Sequence, residues 1–177
     1  MNTIIIGVDP GMEGCWAAID GNSNLVSRIV NPRIGGKGPV DLPVIINWMK
    51  SIRVEGYDRC IFAFEDVHPL YGVSVSSTGS LMESKGMIRG VLTVFAMSHP
   101  NASVIPLTPK KWQSTVWLTG DKVTKASKLD TKATSLVAAK RIWPNDGFLA
   151  SSRCKTPHDG IVDAMLIAEA ARRLHNV

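Results

Sequence analysis

Apolar runs dominate the first third of this chain and helical spacing dominates the rest. Three apolar runs follow one another at the start, Thr3 to Val8, Cys15 to Ile19 and Leu25 to Val30, with Asp20-Gly21-Asn22 marking a turn between the last two. Short β-branched runs bounded by turn formers read as strands, and three in succession predict an antiparallel arrangement. A loop rich in Gly and Pro, Asn31 to Pro43, leads into Val44 to Ile52, where the spacing becomes helical. Cys60 to Glu65 is a nearly continuous apolar strand ending in a carboxylate, and a polar loop follows from His68 to Gly79. Ser80 to Met97 has helical length and Ser103 to Leu107 is a further strand. Pro109 opens a short helix, Thr131 to Ile142 is amphipathic, and a last helix runs from about His158 to Leu174. The stretches Leu118 to Lys128 and Asn145 to Pro157 are polar or broken, and no element is expected in them.

The order β-β-β-α-β-α-β-α-α-α predicts one α/β domain over residues 1–177: a mixed five-stranded sheet, its first three strands antiparallel, flanked by helices. A hydrophobic content of 45% suffices for a sizeable core without disulfides or a structural metal. Cys15, Cys60 and Cys154 are odd in number, far apart and outside any zinc pattern, so they read as reduced thiols. The apolar run 4–8 is too short for a signal peptide or a membrane span, and an intracellular location is expected.

Charge sharpens the picture. Between Pro109 and Arg141 there are eight Lys and Arg against two Asp, whereas the rest of the chain is close to neutral. A concentrated basic region suits a protein that grips a polyanion, although a solvated basic surface has the same composition. Gly35-Gly36-Lys37-Gly38 lacks the spacing and the Ser or Thr of a phosphate-binding loop, so ATP binding is not expected there.

Four acids stand where an isolated charge is poorly tolerated. Asp9 directly follows an apolar strand and Glu65 ends another, while Asp66, the next residue, points to the other sheet face. Asp159 and Asp163, four apart at the start of the last helix, share one helical face and repel each other. Ordinary explanations compete: Asp9 as a turn former, Glu65 as an exposed strand end, Asp159 and less readily Asp163 as helix-dipole partners. If the two strand ends and the helix converge, the four carboxylates could hold two hard cations, Mg²⁺ or Mn²⁺, about 3.5–4 Å apart, as phosphoryl-transfer sites do. His158 adjoins them as a proton donor or water-orienting group, or as plain surface.

Strand-Asp9-Pro10-Gly11, the strand ending in Glu65-Asp66-Val67-His68-Pro69, Gly86-Met87-Ile88-Arg89-Gly90, Pro109-Lys110-Lys111-Trp112 and His158-Asp159-Gly160-Ile161-Val162-Asp163-Ala164 span nearly the whole chain. Together they resemble the RuvC-type Holliday junction resolvases of the ribonuclease H-like superfamily, in particular the small phage-type members. The resemblance implies a ribonuclease H-like fold and a two-metal endonuclease with Asp9, Glu65, Asp159 and Asp163 as catalytic metal ligands. It further implies branched DNA as substrate (four-way junctions, flaps or forks), often a homodimer, and a bacterial or phage-infected cell as the setting. Bacterial RuvC spaces its last two metal-site residues three apart and this chain spaces them four apart; both spacings keep one helical face.

Lys110, Lys111, Lys122, Lys125, Lys128 and Lys132, with Trp112 and Trp117 interleaved, are the candidate DNA contacts, by backbone tracking and base stacking. Core packing is the competing reading for both tryptophans. Lys85 and Arg89, four apart, are expected to present one positive face near the acids, and Tyr71 in the polar loop after Glu65 is expected to enter a junction opening. A ribonuclease acting on RNA-DNA hybrids and a junction-binding module without activity are the alternatives.

Overall fold

The computed structural model describes residues 2–68, 72 and 74–177. Five strands form one sheet in the order β3-β2-β1-β4-β5, with β1 Thr3–Val8, β2 Cys15–Asp20, β3 Leu25–Val30, β4 Arg59–Glu65 and β5 Ala102–Leu107. β1 pairs antiparallel with β2 and parallel with β4, β2 pairs antiparallel with β3, and β4 pairs parallel with β5. The mixed sheet with three antiparallel first strands is the arrangement expected from the sequence. Every residue of β1 is buried, because this central strand is covered on both faces; a continuous apolar run is what such a position requires.

Side-chain alternation divides the core in two. Ile4, Ile6 and Val8 of β1 and Phe62 and Phe64 of β4 pack against α1 (Leu42–Ser51) and α2 (Val75–Met97). Ile5 of β1 and Ile61 and Ala63 of β4 face α3 (Pro109–Val116), α4 (Thr131–Ile142) and α5 (Asp159–Leu174). Helix α5 is the hub of the second layer. All its residues from Gly160 to Ala171 are buried except Asp163, which is half-buried. No described helix is long and apolar enough to cross a membrane.

Two local features depart from the sequence reading. Helix α2 begins at Val75, five residues before the expected Ser80, because the Ser74 hydroxyl accepts a 3.1 Å hydrogen bond from the Ser77 amide and caps it. The stretch expected to carry no element contains a hairpin, β6 (Thr124–Lys125) and β7 (Lys128–Leu129). Its two-residue turn places Ala126 at φ 48° and Ser127 at φ 61°. Such a turn usually announces itself by Asn-Gly, and Ala-Ser hides it. The base of the hairpin is tied to α4 by Val123 N–H to Thr134 Oγ1 at 3.0 Å and by a buried Asp121 that pairs with Arg141 at 2.7 Å.

Candidate active site

The alternation that splits the core also sorts the acids. Glu65 continues the Ile61-Ala63 side of β4 toward α5, whereas Asp66 falls on the α2 side, where Lys85 pairs with it at 2.5 Å. Asp9, just past β1, is held by a tight loop: its Oδ1 accepts from Gly11 N–H at 2.8 Å and its own amide donates to the Cys15 carbonyl at 3.0 Å. Asn31, a buried amide the sequence reading did not single out, braces this loop. Its Nδ2 donates to the Gly11 carbonyl at 2.7 Å and its Oδ1 accepts from Trp16 Nε1 at 2.9 Å. A lone polar residue after an apolar strand gives no local sign of that role.

Two glycines let α5 come close. A Cβ on Gly7 would stand 2.2 Å from the Ala164 carbonyl oxygen and 2.4 Å from the Ala168 nitrogen. A Cβ on Gly160 would stand 2.3 Å from the Glu13 carbonyl oxygen. Backbone-to-backbone packing of this kind is open only to glycine. It seats the first three turns of α5 against β1 and the loop after it, and so brings Asp159 and Asp163 to Asp9.

The result is a cleft of about 400 Å³ lined by Asp9, Glu13, Lys132, His158, Asp159 and Asp163 among others. Glu13 is a fifth acid that no motif pointed to. Burial pushes the Asp163 carboxyl up to about 7, with the negative charges of Asp9, Glu65 and Asp159 adding to the effect and the Ser135 hydroxyl opposing it. Glu65 is likewise raised to about 7 by burial and by Asp9, against the hydrogen bond from Trp112. Asp9 is raised by burial above all and by Asp159, and held back by the Gly11 amide and by His158. Acids from two strand ends and one helix therefore act on one another's charge, although Glu65 is not among the residues that line this cleft. Among the described residues no three of them approach as a ready chelating set.

Trp112 is buried, 1% exposed, and its Nε1 donates to Glu65 Oε1 at 2.8 Å. It holds a carboxylate and has no face free for base stacking. Lys132, expected as a DNA contact, pairs with Asp159 at 2.5 Å on the cleft rim. The His158 carbonyl accepts from the first amides of α5, and its own amide donates to the Phe148 carbonyl at 2.8 Å. Its Nδ1 is buried with no hydrogen-bond partner among the described residues.

The other basic candidates fall into two groups. Lys110 and Lys111 at the start of α3 and Lys122, Lys125 and Lys128 on and beside the hairpin are exposed. Lys85 and Arg89 are not beside the acids, because α2 covers the opposite sheet face. Lys85 is spent on Asp66 and on the Val67 carbonyl at 2.8 Å, and Arg89 lines a small cavity with Phe64 and Asp66. Tyr71 lies outside the described residues. Arg153 and Lys155, exposed in the segment that leads into His158, add positive charge that the sequence reading passed over.

No protein-family model matches the chain, and the curated proteins give no significant sequence match. Structural comparison does. Thermus thermophilus RuvC in complex with a Holliday junction substrate matches with a TM-score of 0.59 at 13% identity, over 98% of this chain and 95% of that chain. A second Thermus thermophilus RuvC structure matches with a TM-score of 0.55 at 11% identity, with the same coverage of both chains. The fold is RuvC-like. At such low identity what is shared with RuvC is the path of the backbone, and the chemistry has to be argued from the side chains of this chain.

The oxygen donors fit hard divalent cations. Three half-buried carboxylates, Asp9, Glu65 and Asp163, crowd one another with no cationic side chain paired to any of them among the described residues, and a cation placed there would relieve both burial and repulsion.

Proposed function

We propose that this protein is a structure-selective DNA endonuclease that hydrolyses phosphodiesters in branched DNA with two Mg²⁺ or Mn²⁺ ions held by Asp9, Glu65, Asp159 and Asp163. The observation that carries this reading is the cleft in which Asp9 meets Asp159 and Asp163, with the Glu65 carboxylate near enough for its charge to act on Asp163. Divalent ions in such a site supply charge neutralisation at the phosphate and activation of water.

The residues of the chain have separable parts in this scheme. Asp9 and Asp163 hold their carboxylates toward the cleft from rigid elements, Trp112 fixes the orientation of Glu65, and His158 offers an imidazole at the rim for water or a departing oxygen. Lys110, Lys111, Lys122, Lys125 and Lys128 track the phosphate backbone, and release of counterions makes binding salt-dependent. A second copy of the chain completes the assembly. Val94 and Met97, one turn apart at the end of α2, are 64% and 83% exposed, and the Ser80 to Met97 part of that helix is the face assigned to the homodimer. The enzyme works inside a bacterial or phage-infected cell.

Synthetic four-way junctions, flaps, forks and RNA-DNA hybrids incubated with Mg²⁺ or Mn²⁺ test the reading. Wild-type protein cuts the branched DNAs in preference to hybrids, and Asp9→Asn and Glu65→Gln bind junctions without cutting them. Preference for hybrids, or inertness toward every branched substrate with either metal, rejects it. Sedimentation at micromolar concentration tests the dimer.

A further inference from the structure

A cavity of about 740 Å³ lies between α3 and the hairpin, against about 400 Å³ for the acidic cleft. Its walls are chemically unlike those of the cleft. Trp117, Leu118 and Leu129 supply aromatic and apolar surface, Gln113 supplies an amide, and Lys110 and Lys122 stand among them. Leu118 and Leu129 are 51% and 44% exposed, so apolar surface is left to water inside a basic region. A flat, aromatic ligand with hydrogen-bonding edges and an attached negative charge matches each of these features: stacking on the indole, edge recognition by an amide that both donates and accepts, and phosphate pairing with lysines.

Two links join this cavity to the acids. Trp117 meets Trp112 edge-on, with ring centroids 6.0 Å apart, and Trp112 holds Glu65. Leu129 lines the cavity and Lys132, three residues on, lines the cleft. At the reach of an extended chain, their Cα atoms are at most about 11 Å apart.

Resting on the nuclease reading above, we infer that this cavity receives one unpaired nucleobase of the DNA strand whose backbone passes the acidic cleft. The lysine-bearing hairpin, Lys122 to Leu129, is then a guide that keeps the strand between cavity and cleft. Extrusion of a base costs least where stacking is already interrupted, so the cavity favours DNA at a branch over continuous duplex. It also makes cutting depend on the identity of a single base.

Binding by fluorescence anisotropy, in EDTA, of junctions and single strands carrying an abasic site at each position near the branch in turn tests the inference without relying on cleavage. Stacking of one base on an aromatic side chain is worth about fivefold to about a hundredfold in affinity. Removal of the base at one position weakens wild-type binding by that factor. Leu129→Trp, which fills the cavity from an exposed hairpin position, erases the difference between intact and abasic DNA while salt-dependent binding persists. Gln113→Ala reduces discrimination among the four bases at the same position. Wild-type binding that is indifferent to every abasic site, or a Leu129→Trp protein that keeps the abasic penalty, overturns the inference. Cutting without an abasic penalty rejects the cavity alone, an abasic penalty without cutting rejects the nuclease reading alone, and no binding to any DNA rejects both.

Discussion

Asp163→Asn should stabilise the metal-free protein at pH 8 and have little effect near pH 4. Asp163 is raised from 3.8 to about 7 by burial and by Asp9, Glu65 and Asp159. Between those two pH values the folded protein keeps a proton that the unfolded chain has released. Folded-state stability therefore falls as pH rises through that window, and the loss is complete above about pH 7. At about 1.4 kcal/mol for each pH unit, the full loss approaches about 4 kcal/mol; sharing of protons among the coupled acids reduces it to about 2–4 kcal/mol. A domain of this size has about 5–15 kcal/mol in total, so the effect is large. Urea unfolding in EDTA at pH 4, 6 and 8 measures it, with the wild type losing stability toward pH 8 and the variant losing less. Divalent metal at a hundred times its dissociation constant should return about 2.7 kcal/mol to the wild type at pH 8 and less to the variant. A wild type equally stable at pH 4 and pH 8, or a variant less stable than wild type at pH 8 in EDTA, would refute the reasoning that burial and the neighbouring acids disfavour ionised Asp163.

Gly7→Ala forces a methyl into the α5 backbone, which has no flexible end to yield, and is expected to cost about 3 kcal/mol or more. Gly86→Ala on α2 meets nothing within 4 Å and should add about 0.5–1 kcal/mol; the two midpoints measured side by side separate packing from helix propensity. Trp112→Phe removes the 2.8 Å hydrogen bond that favours ionised Glu65, so that carboxyl rises further above its present value of about 7. The acid limb of the cleavage profile should then move about one pH unit higher, and an unmoved limb would separate Trp112 from Glu65 ionisation. Ala126→Asn with Ser127→Gly gives the hairpin the residues its left-handed turn favours and should gain up to about 1 kcal/mol, read from urea midpoints.

The strands and helices were legible because their causes are local. A central strand covered on both faces needs an unbroken apolar run, and Thr3 to Val8 supplies one; Asp130 and Thr108 mark helix starts by capping them. Strand parity alone is enough to send Glu65 and Asp66 to opposite faces of the sheet. The hairpin at Ala126-Ser127 was hidden, since a left-handed turn built without glycine leaves no local mark. Partners were hidden as well. Trp112 lies 47 residues from Glu65 and Lys132 lies 27 from Asp159, and no periodicity records which side chain will meet which.

What the sequence by itself determined is the five strands of the sheet and its five flanking helices, with Asp9, Glu65, Asp159 and Asp163 at or near the ends of three of them. Only the tertiary structure decided that Asp9, Asp159 and Asp163 line one cleft, that Lys85 and Arg89 sit on the far face of the sheet, and that Trp112 is a brace for Glu65. The physical reason is that hydrophobic patterning encodes which face of an element is buried. The close approach of α5 to β1 over Gly7 and Gly160 depends on the shape of both surfaces at once.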